Sequence, residues 1–436
     1  MSPTPALARQ LVARMDSVLA DLGQPSGAMP PMAAVELRQI AGLTAGGSLP
    51  LLPGRHEFGP AGDPGTRLEP GAVRAVAFHL DVDAGGGVVI EPGSLPVRVD
   101  GRRLSAAEPL DGGVVDVGTA AFTLHPTRSP SQRRADRAGA EPPDPADVRV
   151  RVPHRPAPKG PLSHLALRQH RRVLEQVAEE LDRALARAAG LVAAAGRAAH
   201  PDPEELLHRA RHGDRLWTCP PHHARFGLAP VALGELPWRP PLEAEGPLEP
   251  PLERVVAARS MLPLVPLLAD LRAGPVVVVG PRAAGHAVLR HLVVSLLVAS
   301  RPADLRFSLL ADPSPEWAWL EAAPRAAQVS DAGLEVVLVD AGLDTARVAC
   351  ERTAGAAGRM TAVALVDTVD DVPEGASAML WLDGRGTATW TAVRSGWQVD
   401  AAIPIGLPVA TAAAAVRALA GHHRARPGPE DPERRP

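Results

Sequence analysis

Four consecutive valines, Val276 to Val279, held between Pro275 and Gly280, constrain this chain more than any other feature. Successive side chains of a β-strand point to opposite faces, so an unbroken valine run needs apolar cover on both sides. The downstream sequence repeats the demand. From Gly274 it alternates PVVVVG, RAAGHAVLRHLVVSLLVAS, DLRFSLLAD, EVVLVDAG, a helical stretch near Thr345 to Ala356, TAVALVD, AMLWLDG and TATWTAV. Near-continuous Val/Leu strands separated by helices predict a mainly parallel sheet covered on both faces, a Rossmann-type α/β domain over residues 251–421.

The chain has 436 residues, room for more than one core. Across residues 34–126 the pattern is one of short alternating runs punctuated by Gly, Pro and Asp, which predicts an antiparallel β-sandwich. Asp100-Gly101 is its best hairpin turn, because both residues tolerate positive φ. Residues 127–161 are proline-rich, charged and aperiodic, and read as a linker. Leu174, Val177, Leu181, Leu185, Ala188 and Val192 then fall three and four apart, which predicts a helix from about 162 to 199 with one apolar stripe. The stripe packs on a neighbouring domain in preference to a partner chain. A second short helix from His200 and a Trp/Pro-rich connector complete the segment to residue 250. Residues 1–33 read as an N-terminal helical arm and 422–436 as a disordered tail. The fold class expected is therefore multidomain α+β and α/β: sandwich, long helix, then the α/β domain.

Several functions are disfavoured. Acidic side chains outnumber basic ones by only three, without large blocks, so no basic field points to nucleic acid. The two cysteines, Cys219 and Cys350, stand far apart with no zinc spacing, as expected in a reduced cytoplasmic setting. The N-terminus lacks the parts of a signal peptide. The most apolar stretches, Met261 to Leu271 and Val288 to Ala299, fall short of the ~20 apolar residues of a membrane span. No Gly-x-Ser-x-Gly elbow or Cys/His dyad supports hydrolysis, and His222-His223 and His422-His423 lack structural-zinc spacing, so no metal site is expected.

One place has the layout of a phosphate site. Gly280, Pro281, Arg282, Gly285, His286 and Ala287 lie between a strand and a helix, with the two glycines at P-loop spacing. A working loop needs Lys and then Ser or Thr after the second glycine, where this chain has His286 and Ala287. Losing a charge-assisted phosphate contact forfeits roughly 1.5–3 kcal/mol. Asp340, ending VVLVD, stands where a Walker B aspartate would, but Ala341 follows it in place of a second acid. Two readings stay open: a tight strand-to-helix turn, or a vestigial nucleotide site with residual binding of ATP and Mg²⁺. On the second, restoring Lys and Thr at 286 and 287 should raise nucleotide affinity. Asp367, Asp370 and Asp371 form a polar strand end. Arg55 could be the first element of a phosphopeptide site, but reads better as a solvated loop residue.

The stretch GPVVVVGPRAAGHAVLRHLVVSLLVASRPADLRFSLLADPSPEWAWLEAAP resembles the first, often degenerate, nucleotide-binding domain of actinobacterial FtsK/SpoIIIE-type proteins, including those related to type VII secretion ATPases. Pro302-Ala303-Asp304-Leu305-Arg306 and Glu316-Trp317-Ala318-Trp319-Leu320 carry the likeness, with Trp217 and Pro237-Trp238-Arg239-Pro240 upstream. The β-region is similar to the FHA-type domain these proteins carry. Membrane-bound family members have a transmembrane hairpin where this chain offers a linker, and relatives continue into a competent motor domain where it stops near Ala420. No Ser-x-x-His or Asn-Gly-Thr of a phosphothreonine reader follows Arg55. The resemblance implies a pseudo-ATPase, not an enzyme, that serves as an assembly or regulatory adaptor for an FtsK/SpoIIIE-type ATPase or secretion component. The alternative it leaves is an ATP-binding subunit of a DNA-translocation or protein-secretion motor.

Overall fold

The computed structural model describes residues 35–59, 76–110, 112–126, 149–152, 164–244, 246–312, 314–326, 330–354, 358–393 and 395–425. The expected N-terminal arm and most of the expected linker lie outside them. The chain is multidomain, with an N-terminal β-sandwich, a long helix and a C-terminal α/β domain.

The sandwich strands are β1 (Val35–Ala41), β2 (Ser48–Leu51), β3 (Gly54–Phe58), β4 (Phe78–Val82), β5 (Val88–Pro92), β6 (Arg98–Val99), β7 (Arg102–Arg103), β8 (Glu108–Pro109), β9 (Val114–Asp116) and β10 (Ala121–Pro126). They form a six-stranded sheet, β2-β1-β10-β9-β6-β7, and a four-stranded sheet, β3-β4-β5-β8. Phe58 stacks on Phe78 at 4.7 Å between ring centroids, and Phe122 meets Phe78 edge-on at 6.1 Å, filling the space between the sheets. Asp100 and Gly101 take φ of 48° and 77° between β6 and β7, the turn their residue types favour.

Within the stretch read as linker, β11 (Val150–Arg151) pairs in parallel with β13 (Leu242–Glu243). The helix His164–Ala199 lays Val177, Leu181, Leu185 and Ala188 against Val150, Val152 and Leu252. Farther along, Ala189 and Ala193 meet Leu262 and Val265, so the stripe is covered within the chain. The next helix, Pro203–His212, starts on Asp202, whose carboxylate accepts the Glu205 N–H at 2.8 Å, and ends at Gly213 with φ 75°.

Among the described residues the main sheet has nine strands. β12 (Leu228–Pro237), β14 (Met261–Asp270), β15 (Val276–Val279), β16 (Leu305–Ala311), β17 (Leu334–Asp340), β18 (Met360–Val366), β19 (Ala378–Leu382), β20 (Ala388–Ala392) and β21 (Trp397–Pro404) run in the order β14-β12-β21-β20-β19-β15-β18-β17-β16. From β19 to β16 the pairing is parallel, and the other strands add an antiparallel wing. Val276 and Val278 enter the core beneath the helices Pro203–His212, Arg282–Ala299 and Val409–Ala425. Val277 and Val279 enter the opposite core, beneath Leu343–Ala354. The two-faced burial that four valines demand is met, each at 0% exposure.

Two sequence expectations need correction. The segment read as a Trp/Pro connector contains β12, a long strand inside the sheet, paired with β14 over most of its length. Its prolines hid it. The register shifts between Pro230 and Ala232 and between Gly234 and Leu236 are bulges of the kind that let a sheet absorb residues poor at ladder bonding. His422 and His423, assigned to a disordered tail, lie in the last turn of the helix Val409–Ala425. Residues beyond 425 are outside those described. By length and composition the helix Arg282–Ala299 could cross a membrane, but 78% of it is buried as the core helix of the sheet.

The sandwich is docked on the α/β domain. Gly42 N–H donates to Pro404 O at 2.7 Å, Gly406 N–H donates to Gly42 O at 2.9 Å, and Ile40, Ala41, Ala45, Val114 and Ala121 share a core with Leu233, Leu264, Ile403 and Ile405. A Cβ on Gly406 would stand 2.8 Å from Leu43 O and 2.9 Å from the Ala287 Cβ, so only glycine permits this approach.

Candidate functional site

The residues of the expected phosphate site are brought together at the carboxyl ends of β15, β17 and β18, where ligands of open α/β sheets bind. Their local geometry departs from a phosphate cradle. β15 ends at Val279 and the helix begins at Arg282, so only Gly280 and Pro281 separate them. The amide of Gly280 donates to Val366 O at 3.0 Å and that of Gly285 to Pro281 O at 2.9 Å. A cradle needs such amides pointing at the anion. Both glycines are explained by close packing instead. A Cβ on Gly280, with φ +127°, would lie 2.5 Å from Leu382 O, and one on Gly285 would lie 2.3 Å from Leu365 Cδ1. Of the two readings of these glycines, their hydrogen bonds and close packing fit the tight strand-to-helix turn.

Asp340 is the centre of the site. Its side chain is 8% exposed at the end of β17, and its carboxylate accepts hydrogen bonds from the Arg282 guanidinium, from Trp317 Nε1 at 2.8 Å and from His286 Nε2 at 2.8 Å. Arg282 also spans to Asp367, just past β18, at 3.0 and 3.3 Å. Burial pushes the Asp340 carboxyl up, but the bonds from Trp317 and His286 and the charges of His286 and Arg282 outweigh it and hold the group below the usual carboxylate range. A metal-binding aspartate must offer its lone pairs to the ion or its waters. Here protein donors occupy them, and Arg282 supplies a fixed positive charge beside the carboxylate.

The second turn of the helix is tied down as well. His286 stands edge-on to Trp317 with centroids 5.5 Å apart. Its Nδ1 lies 3.9 Å from Glu316, which also pairs with Arg290 at 3.1 Å, and Arg290 Nε donates to Leu407 O at 2.7 Å. Ala287 is 5% exposed, and its carbonyl accepts the Leu407 N–H at 2.9 Å. Ala341 is partly buried and packs against the core beneath the helix Leu343–Ala354.

Sequence reasoning missed Trp317, Glu316, Arg290 and Asp367 as members of this cluster. Trp317 and Glu316 were visible only as a Trp-rich turn, which forms the 3-10 helix Pro315–Ala322. Of the three aspartates at the polar strand end, Asp367 alone joins the site, while Asp371 accepts from Thr368 Oγ1 at 2.8 Å. Arg55 lies in β3, not in a loop, and pairs with Asp81 at 3.3 Å and Glu91 at 2.7 Å across the sheet. His223 Nδ1 accepts the Arg225 N–H, and His422 faces Arg211 O at 3.3 Å.

No family model and no curated protein matches the chain. Among solved structures it is similar to the FHA domain of FhaA, solved in complex with the intracellular domain of Rv3910, with 20% identity over 21% of this chain and 100% of that one, at a TM-score of 0.19. It is also similar to two type VII secretion ATPases. One is Thermomonospora curvata EccC, ATPases 2 and 3, with 15% identity over 47% of this chain and 48% of that one, TM-score 0.31. The other is Geobacillus thermodenitrificans EssC, ATPases 2 and 3, with 11% identity over 49% and 53%, TM-score 0.32. The chain thus spans about half of these ATPase chains. At such scores the likenesses concern parts of the architecture and carry nothing about activity.

Proposed function

We propose that this chain is a catalytically silent relative of FtsK/SpoIIIE-type ATPases that acts as an assembly or regulatory adaptor, its α/β domain docking on a competent secretion-type ATPase or another component of such a machine. The observation that carries the reading is the closed state of Asp340. Three protein donors hold it, with Trp317 4% exposed. Charge-assisted bonds of this kind are each worth about 1.5–3 kcal/mol, so nucleotide and Mg²⁺ would have to displace several before making any contact of their own. Lys and Ser/Thr, which would reward that displacement, are absent from positions 286 and 287.

The motor alternative requires Arg282 to leave Asp340 and Asp367 and act on phosphate, as an arginine supplied within a neighbouring subunit does. No feature of the site favours that exchange. The discriminating measurement is ATP hydrolysis by the purified chain against an Asp340→Ala control, alone and with a candidate ATPase partner. Equal, background rates for the chain alone are the expected outcome. Hydrolysis by the wild type well above the variant would overturn the reading.

A further inference from the structure

Where the sandwich meets the α/β domain, a cavity of about 310 Å³ lies between β1 and β10, the end of the helix His164–Ala199, the start of the helix Pro203–His212 and the core strands. A second, of about 220 Å³, shares the walls Ala198, His200, Pro201, Arg209 and Pro230. The larger volume falls at the small end of ligand sites, and polar and charged side chains share its lining with apolar ones.

The charges around this cavity separate it from an ordinary packing gap. Arg38 is matched by Glu36 at 3.3 Å and Glu204 at 3.1 Å, and Arg209 by Glu205 at 2.9 Å. Asp202 is occupied as a helix cap. Arg197 is different. Among the described residues its one hydrogen bond is from Nη1 to Leu264 O at 3.1 Å, and no carboxylate lies within ion-pair distance of it. Asp100 acts on it only through space, while its own carboxylate accepts the Val114 N–H. The rest of this partly buried guanidinium, which cannot lose its proton, lines the cavity without a protein acceptor and leaves N–H donors for an anion. In the wall of the same cavity, His291 is fully buried, with Nδ1 unpartnered and Nε2 near Ser295 Oγ at 3.3 Å. Both line the larger cavity, with Ile40, Leu233 and Ile405 as apolar wall.

We propose that this junction cavity binds a small organic carboxylate, its charged end on Arg197 and a short apolar body against Ile40, Leu233 and Ile405. Of the arginines lining this larger cavity, Arg38 and Arg209 are paired with carboxylates and Arg197 is not, which suits a monoanion. A phosphate, carrying roughly 1.5–2 negative charges, would bring an excess beside Asp202 and Glu205. Because the walls come from both the sandwich and the α/β domain, the occupied cavity ties the two together.

The test is calorimetric titration of acetate, isovalerate and benzoate into the full chain, with benzyl alcohol and inorganic phosphate as comparators. At least one carboxylate is expected to bind saturably, about tenfold or more tighter than benzyl alcohol or phosphate. Arg197→Gln should weaken it by a further factor of about ten, in line with loss of one charge-assisted contact. Ala198→Trp, which fills the space from an exposed wall position, should abolish it. Circular dichroism on both variants confirms that each is folded, and Arg197→Lys, retaining the charge, should keep part of the affinity. Absence of saturable binding by all three carboxylates, equal binding of benzyl alcohol or phosphate, or an unchanged affinity in folded Arg197→Gln would each overturn the proposal.

Discussion

Two charged centres of this molecule stand in opposite conditions. Around Asp340, donors crowd onto one carboxylate, and Arg282 is shared with a second acid, Asp367. Around Arg197, among the described residues, a guanidinium has one carbonyl and no carboxylate in contact. Position in the fold alone would favour the first as the ligand site, because it lies at the carboxyl ends of parallel strands. The hydrogen bonds reverse that preference. A site whose polar groups are already satisfied by the protein gains little from a ligand, whereas unsatisfied, partly buried groups gain much.

Acid separates the two centres most strongly. Burial lowers His291 from 6.5 to about 3, and burial with the nearby charge of Arg225 lowers His200 to about 4. Below pH 6.5 the unfolded chain takes up protons that the folded cavity refuses. Stability therefore falls as pH drops from about 6.5 towards 4, by roughly 1.4 kcal/mol per pH unit for each histidine at most. Asp340, held below 3.8, contributes stability that is fully present above the ordinary carboxylate pKa and is lost only under stronger acid, as pH falls through its lowered value. Urea unfolding between pH 7 and 5 should show the histidine slope, and His291→Gln should flatten it. An identical slope in that variant would break the assignment.

The second expectation concerns the closed centre. In the double variant His286→Lys/Ala287→Thr, the first change replaces the positioned imidazole that bonds Asp340 with a flexible ammonium, and the second adds atoms where a Cβ placed on Gly406 would already be 2.9 Å from that of Ala287. Overpacking of this kind costs about 1–3 kcal/mol. A lower unfolding midpoint and no gain in binding of a fluorescent ATP analogue are expected. A gain would show that the first helical turn can reopen into a cradle, and the contrast between the two centres would narrow.

The smallest effect belongs to Arg55. Its side chain is 52% exposed and already paired on the sheet surface, so Arg55→Ala should change stability by less than about 1 kcal/mol. It should also leave any binding to a phosphothreonine peptide library as it was. A loss of such binding would add a third charged centre to the comparison.

Local periodicity made much of the architecture readable. The valine run, the three-and-four spacing of Val177, Leu181 and Leu185, and the Asp100-Gly101 turn depend on residues close in sequence, where side-chain geometry follows directly from the repeat. Strand β12 was obscured because its prolines read as connector, and only pairing with β14 through bulges shows it to be sheet. The candidate site divides in the same way. Gly280, Gly285 and the substitutions His286 and Ala287 could be read from spacing alone. That Trp317 and Arg282 close over Asp340 could not, because their hydrogen bonds join residues 23 and 58 positions apart and exist only once the strand ends converge. The residue types along the chain determined which segments must be strands and helices and which phosphate-binding groups are missing. Tertiary structure decided which charges are satisfied and which are left waiting, because satisfaction of a buried charge depends on distances of a few ångströms between segments remote in sequence.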